Sequence, residues 1–142
     1  MGERPLSVAD YPLAEKRPEL IAGRRGKRLD EITLDALTNG EVELEDLRIT
    51  PAALRMQAEI ARAAGRPMLA SNFERAAELV DVPQDVIMPV YELLRPGRAR
   101  DTAPLLEAAR MLREAYGATA MARFVEEAAE VYERRRLYTT RY

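Results

Sequence analysis

The chain has 142 residues, enough for one domain that buries about two thirds of the surface its unfolded form exposes. It is 47% apolar and 32% charged, and its net charge of −2 gives no general pull toward nucleic acid or anionic lipid. It has no cysteine and no histidine, which excludes disulfides, thiolate chemistry and cysteine-rich zinc sites and removes the commonest general base and metal ligand.

A stand-alone enzyme would have to work with carboxylates, tyrosines or a hard cation held by oxygen alone. The sequence holds no apolar run long enough to span a bilayer. The opening "MGERPLSVAD" lacks the apolar stretch of a secretory signal, and Leu6 stands where an acylation motif after Gly2 needs a hydroxyl. A cytoplasmic protein is therefore expected. Lys16 and Lys27 are the only lysines. Codon bias from a GC-rich genome explains the excess of arginine, and bidentate pairing at interfaces is the functional alternative.

Residues 10–30, "DYPLAEKRPELIAGRRGKRLD", have neither a helical stripe nor strand alternation. Pro12, Pro18, Gly23 and Gly26 interrupt them, and basic residues outnumber acidic ones. Four readings are open: an export signal, a nucleic-acid arm, a loose linker, or an arm that folds against a partner.

From residue 31 onward the pattern is helical. Thr33 and Gly40 bound a short helix, and the acidic turn "EVELEDL" follows. Thr50 and Pro51 open the next helix and Gly65 closes it. It carries two apolar stripes, Leu54/Ala58/Ala61 and Met56/Ile60/Ala63, which suggests burial in its own core and against another chain. Pro67 opens a helix with Leu69, Phe73, Ala76, Ala77 and Val80 on a buried face. A helix from about Pro83 buries Ile87, Val90, Tyr91 and Leu94, with Pro89 expected to kink or shorten it. Thr102 is the expected cap of a helix carrying Leu105, Ala109, Leu112 and Tyr116. After Gly117, the last helix shows Met121, Phe124, Val125, Ala128, Val131 and Tyr132. The expected fold is all-α, a single multi-helical domain of five or six helices over residues 31–136. An extended N-terminal arm over residues 1–30 precedes it, and a frayed tail over 137–142 follows.

Three charged clusters are weighed for chemistry. Glu41, Glu43, Glu45 and Asp46 form an acidic turn that lacks the glycine and ligand spacing of a calcium loop. A solvated surface is the simpler reading, as it is for Glu126, Glu127 and Glu130 before Arg134. "GRRGKR" at 23–28 suits phosphates, and helices 51–64 and 67–80 have helix-turn-helix length, so a DNA-binding module with a basic arm is an alternative. Glu74 and Glu78 on the supposed recognition helix oppose it. Arg75 has a local carboxylate in Glu78, or a better partner on another chain.

The strings "DYPLAEKRPEL", "TLDALTNGEVELEDLRITPAALRMQAEIARAAGR", "NFERAAELVDVPQD", "YELLRP" and "ARFVEEAAEVYERRR" resemble, in register from about Asp10 to Arg136, the small subunit of adenosylcobalamin-dependent diol and glycerol dehydratases. The resemblance implies an enzyme of three kinds of subunit, assembled as a dimer of heterotrimers. A large TIM-barrel subunit carries the active site, and adenosylcobalamin lies between the large and medium subunits. The small subunit is helical, docks on the large one and binds no cofactor. The reaction takes 1,2-propanediol, glycerol or 1,2-ethanediol to the aldehyde and water by a radical route.

On that reading residues 10–30 become an arm laid on a partner, with its basic cluster meeting acidic surface. The interface residues it suggests are Tyr11, Pro12, Leu13, Arg17, Leu20, Ile21, Phe73, Arg75, Tyr91 and Arg95. Catalytic, cofactor-binding and metal-binding residues are expected to be absent from this chain. Two features depart from the family pattern. Pro89 replaces an ordinary helix former, and the ten residues before Tyr11 are not amphipathic. Encapsulation in a microcompartment through this chain is therefore not expected.

Overall fold

The computed structural model describes residues 4–139, which are all-α: eight α-helices and three short 3-10 turns, with an isolated bridge between Ala22 and Arg28 in place of any strand. The chain separates into two compact units, one ending at Val80 and one beginning at Asp81.

In the first unit residues 4–30 run as a succession of tight turns. A 3-10 turn at Val8–Asp10 leads through a cis Tyr11–Pro12 peptide into α1 (Leu13–Lys16), and a second turn at Pro18–Leu20 follows. Proline and glycine break the segment too often for a long helix, and side chains take up the free backbone groups instead. Ser7 and Asp10 cap each other's backbone, and the Leu6 N–H donates to Glu59, which lies on a later helix, at 2.8 Å. Leu13 is almost fully buried, packed with Leu6 against Ile60, while Leu20, Ile21 and Met56 complete the cluster half-buried.

Helices α2 (Leu34–Thr38) and α3 (Leu44–Leu47) follow. Thr33 caps α2 by accepting from the Ala36 N–H at 3.1 Å. Gly40 ends it at φ 75°, and the Glu41 N–H returns to the Ala36 carbonyl at 2.8 Å, a Schellman closure that needs the left-handed residue. Helix α4 (Pro51–Ala63) opens on the expected Thr50 cap and Pro51, and Gly65 (φ 74°) turns the chain into α5 (Pro67–Leu79).

Both stripes of α4 are covered by this chain itself, except that Ala63 at the end of the second is exposed. Ala58 and Ala61 meet Ala70 and Phe73 of α5, while Met56 and Ile60 meet the arm. The face expected on α5 is rotated from its sequence reading. Ala70 and Ala77 are its buried residues and Leu69 is exposed, because two helices that approach closely seat their smallest side chains at the seam.

The second unit holds α6 (Gln84–Leu94), α7 (Thr102–Tyr116) and α8 (Thr119–Arg135). Helix α6 is not shortened by Pro89, and Tyr91, expected to be buried, is exposed. Asp101, rather than Thr102, caps α7, accepting from the Ala103 N–H at 2.9 Å. Gly117 (φ 63°) closes α7 and α8 into a hairpin. Its core is Leu105, Ala109 and Leu112 against Ala122, Val125 and Ala129, with Val90 of α6. On α8 the expected Val125 is fully buried and Met121 and Tyr132 pack against the core, but Ala122 and Ala129 fill its seam and Phe124 lies exposed. The last residues described are tied down: Gly97 donates to the Leu137 carbonyl at 2.7 Å, Thr139 to that of Ala99 at 3.0 Å, and the Tyr138 hydroxyl to that of Ala129 at 2.7 Å. Residues 140–142 of the expected frayed tail lie outside the described residues.

Candidate subunit interface

Two buried carboxylates organise the first unit, and arginines of the arm reach both. Asp10 accepts from Arg4 at 2.8 and 3.1 Å, from Arg17 at 3.2 Å and from the Ser7 N–H at 2.9 Å. The Ser7 backbone bond, followed by the two guanidinium groups, holds its pKa at about 2 against an ordinary 3.8. Arg17 also pairs with Glu19 at 2.5 Å, and these bonds to Glu19 and Asp10 raise its own pKa.

Asp46 is the second. Its side chain is completely covered, and one oxygen accepts from the Glu43 N–H at 2.8 Å and from Arg25 at 3.0 Å. Arg25 also meets Glu43 at 3.2 Å, and Arg24 meets Glu45 at 3.6 Å. The basic "GRRGKR" turn and the acidic "EVELEDL" turn, read separately as phosphate and cation candidates, therefore neutralise one another. The basic cluster does meet acidic surface, but that surface belongs to its own chain. Among the described residues no group of carboxylates could hold a metal ion. The DNA reading loses support on the same grounds, since Arg62 is likewise taken by Glu74 at 2.7 Å.

A close backbone approach fixes the two turns together. A Cβ added at Gly23 would stand 2.7 Å from the Asp46 carbonyl oxygen, so only glycine fits there without movement.

Of the ten interface residues suggested by sequence, Tyr11, Pro12, Tyr91 and Arg95 are exposed, with Arg95 bonded to Glu92 at 3.2 Å. Leu13, Leu20 and Ile21 are turned toward α4, and Arg17 toward Asp10. Phe73 is half-buried at the α4–α5 seam, and Arg75 donates to Asn72. The arm residues come together in the first unit; Tyr91 on α6 and Arg95 just after it belong to the second.

Sequence reasoning missed the most exposed apolar stretch. Leu34, Leu37, Leu44, Leu47 and Ile49 are 77, 52, 69, 61 and 56% exposed. The available signal was length. Helices of four and five residues bury little more than one position each, here Asp46 and Ala36, so paired leucines at i, i+3 have nowhere to go.

Among the described residues no helix is long and apolar enough to cross a membrane. The clefts on the surface are open and charged. One of about 660 Å³ is lined by Pro18, Glu19, Arg28, Leu29 and Asp30, whose Arg28–Asp30 pair at 2.8 Å already satisfies its charges.

With this geometry in hand, the chain is placed by comparison: it belongs to the dehydratase small subunit family, whose model matches residues 6–138. It is 49% identical over 131 residues to the propanediol dehydratase small subunit of Citrobacter freundii, covering 92% of this chain and 76% of that one. It is 48% identical over 135 residues to that of Salmonella typhimurium (strain LT2), covering 94% and 78%. Membership of this family implies larger partner subunits. The residues present do not fit adenosylcobalamin, the cofactor of the resembling enzymes. A corrinoid bearing an adenosyl group exceeds the drug-sized ligands that occupy pockets of about 300–1,000 Å³, and these clefts, of about 520, 660 and 370 Å³, are too small and too open to enclose it.

Proposed function

We propose that this chain is the non-catalytic small subunit of an adenosylcobalamin-dependent diol or glycerol dehydratase, a hydro-lyase that acts in the cytoplasm. The observation that carries the reading is near-full-length identity of almost half to two propanediol dehydratase small subunits. The chemistry of the chain supports it. It has no histidine and no cysteine, the commonest proton-transfer groups, and the two carboxylates buried among the described residues, Asp10 and Asp46, are both paired with arginines. The bound cofactor would supply the radical chemistry that converts a 1,2-diol to aldehyde and water, at a site on other chains.

On this proposal the partners are a large TIM-barrel subunit and a medium subunit, assembled as a dimer of heterotrimers. The contribution of this chain is surface: exposed Tyr11, Pro12, Tyr91 and Arg95 and the apolar stretch of α2 and α3. The test is co-expression with large and medium subunits, with mass measured by light scattering. A stoichiometric three-subunit complex that dehydrates 1,2-propanediol only with adenosylcobalamin is expected. A chain that stays monomeric beside competent partners overturns the proposal.

A further inference from the structure

We infer that Leu34, Leu37, Leu44, Leu47 and Ile49, presented by α2, α3 and the segment after α3, are the docking face for a larger dehydratase subunit; this rests on the function proposed above. Fifteen large apolar side chains are exposed among the described residues, and five of them fall within these sixteen positions. Summed over the five, on the order of 500 Å² of apolar side chain stands in water.

The chemistry around them selects the kind of partner. The cations nearest in sequence are paired within the chain: Arg25 with Glu43 and Asp46, Arg24 with Glu45, and Arg48 with Glu45 at 3.0 Å. No excess of cations remains to draw a lipid headgroup or a phosphodiester, both of which need one. An uncharged apolar protein surface is the match. Area argues against a second copy of this chain. A symmetric dimer through this face alone buries roughly 1,000 Å², below the usual range of about 1,200–2,000 Å² for a stable interface. A larger subunit can cover the leucines and continue over neighbouring surface.

The arm is a positioning device for this face. The Ala22–Arg28 turn closes on α3 through the Arg25–Asp46 pair and the Gly23 approach to the Asp46 backbone. It holds a four-residue helix, too short to persist alone, with Leu44 and Leu47 outward.

The test uses the co-expressed complex. Leu44→Gln with Leu47→Gln is compared with Leu106→Gln, which alters a single exposed leucine on α7. The double variant is expected to melt like the wild type yet enter the complex at least tenfold less, while Leu106→Gln enters normally. A photo-crosslinking residue at position 44 of the otherwise unaltered chain should capture a larger subunit, and it decides the matter should the double variant fail to fold. Normal assembly of a folded double variant overturns the docking face alone, as does crosslinking only to a second copy of this chain. A wild-type chain that joins no complex overturns the proposed function and this inference together.

Discussion

The first unit buries two carboxylates, Asp10 and Asp46, and leaves five leucine and isoleucine side chains of a single short stretch in water; the second buries only apolar side chains and pairs its carboxylates at the surface, as Arg113 does with Glu126 at 2.7 and 3.0 Å. The second is built as a helix hairpin is usually built, with alanines letting α7 and α8 approach and leucines filling the seam. The first spends charge on fixing loops and keeps much of its apolar surface uncovered. The difference separates a unit that covers its own apolar side chains from one that, on the inference above, leaves a face for a partner to cover.

The contrast predicts a graded series of effects. The largest belongs to the second unit. Leu105→Ala removes a side chain with no exposure at all and should cost about 3 kcal/mol in denaturant unfolding. Within the first unit, Gly23→Ala drives a methyl group into the Asp46 backbone and should cost about 2 kcal/mol, with α3 and the arm losing amide protection first. Arg25→Ala strands the covered Asp46 carboxylate and should cost about 1.5 kcal/mol, where the same change at the exposed Arg110–Glu107 pair should barely register.

Acid should sharpen the comparison further. A carboxyl held at about 2 instead of 3.8 favours the folded chain above its unfolded pKa, and that advantage is lost as pH falls from the upper value to the lower. Asp10→Asn should therefore flatten the dependence of stability on pH in that window. A variant as steep as the wild type would show that Arg4 and Arg17 do not act there. The smallest effect is expected at the surface: Leu34→Ser should change the stability of the free chain by no more than about 0.5 kcal/mol. A large loss would mean that the exposed leucines already serve this chain's own packing.

Local signals were readable in the sequence where backbone chemistry decides. Thr50–Pro51 opened α4, Thr33 and Gly40 bounded α2, and Gly65 and Gly117 closed their helices, because caps and left-handed turns depend on neighbours in the chain. Leu105, Ala109 and Leu112 were legible as core for the same reason, their spacing being that of one helix face. Partners distant in sequence were not legible. Arg25 and Asp46 lie 21 positions apart, and each looked like half of a different binding site. On α8 Val125 was legible as core, with Met121 and Tyr132 packed beside it, but Ala122 and Ala129 were not, because large side chains draw the eye and the seam selects these two for being small. Among site residues, Tyr11 and Tyr91 reach the surface, but Leu13 is drawn under Leu6 and Ile60, and only the folded arm reveals that.

The tyrosines have a practical consequence. The chain has no tryptophan and six tyrosines, and five of these, from Tyr91 on, follow the boundary between the units. Tyr132 and Tyr138 pack edge to face at 6.3 Å, with hydroxyls bonded to the Leu94 and Ala129 carbonyls. Tyrosines fixed in this way are chiral chromophores, while Tyr11, the one tyrosine of the first unit, stands in solvent. Near-ultraviolet circular dichroism of the free chain thus observes the second unit almost alone, and the far-ultraviolet signal observes both. Heating the unlabelled chain and comparing the two bands would show whether its halves melt as one body or in sequence.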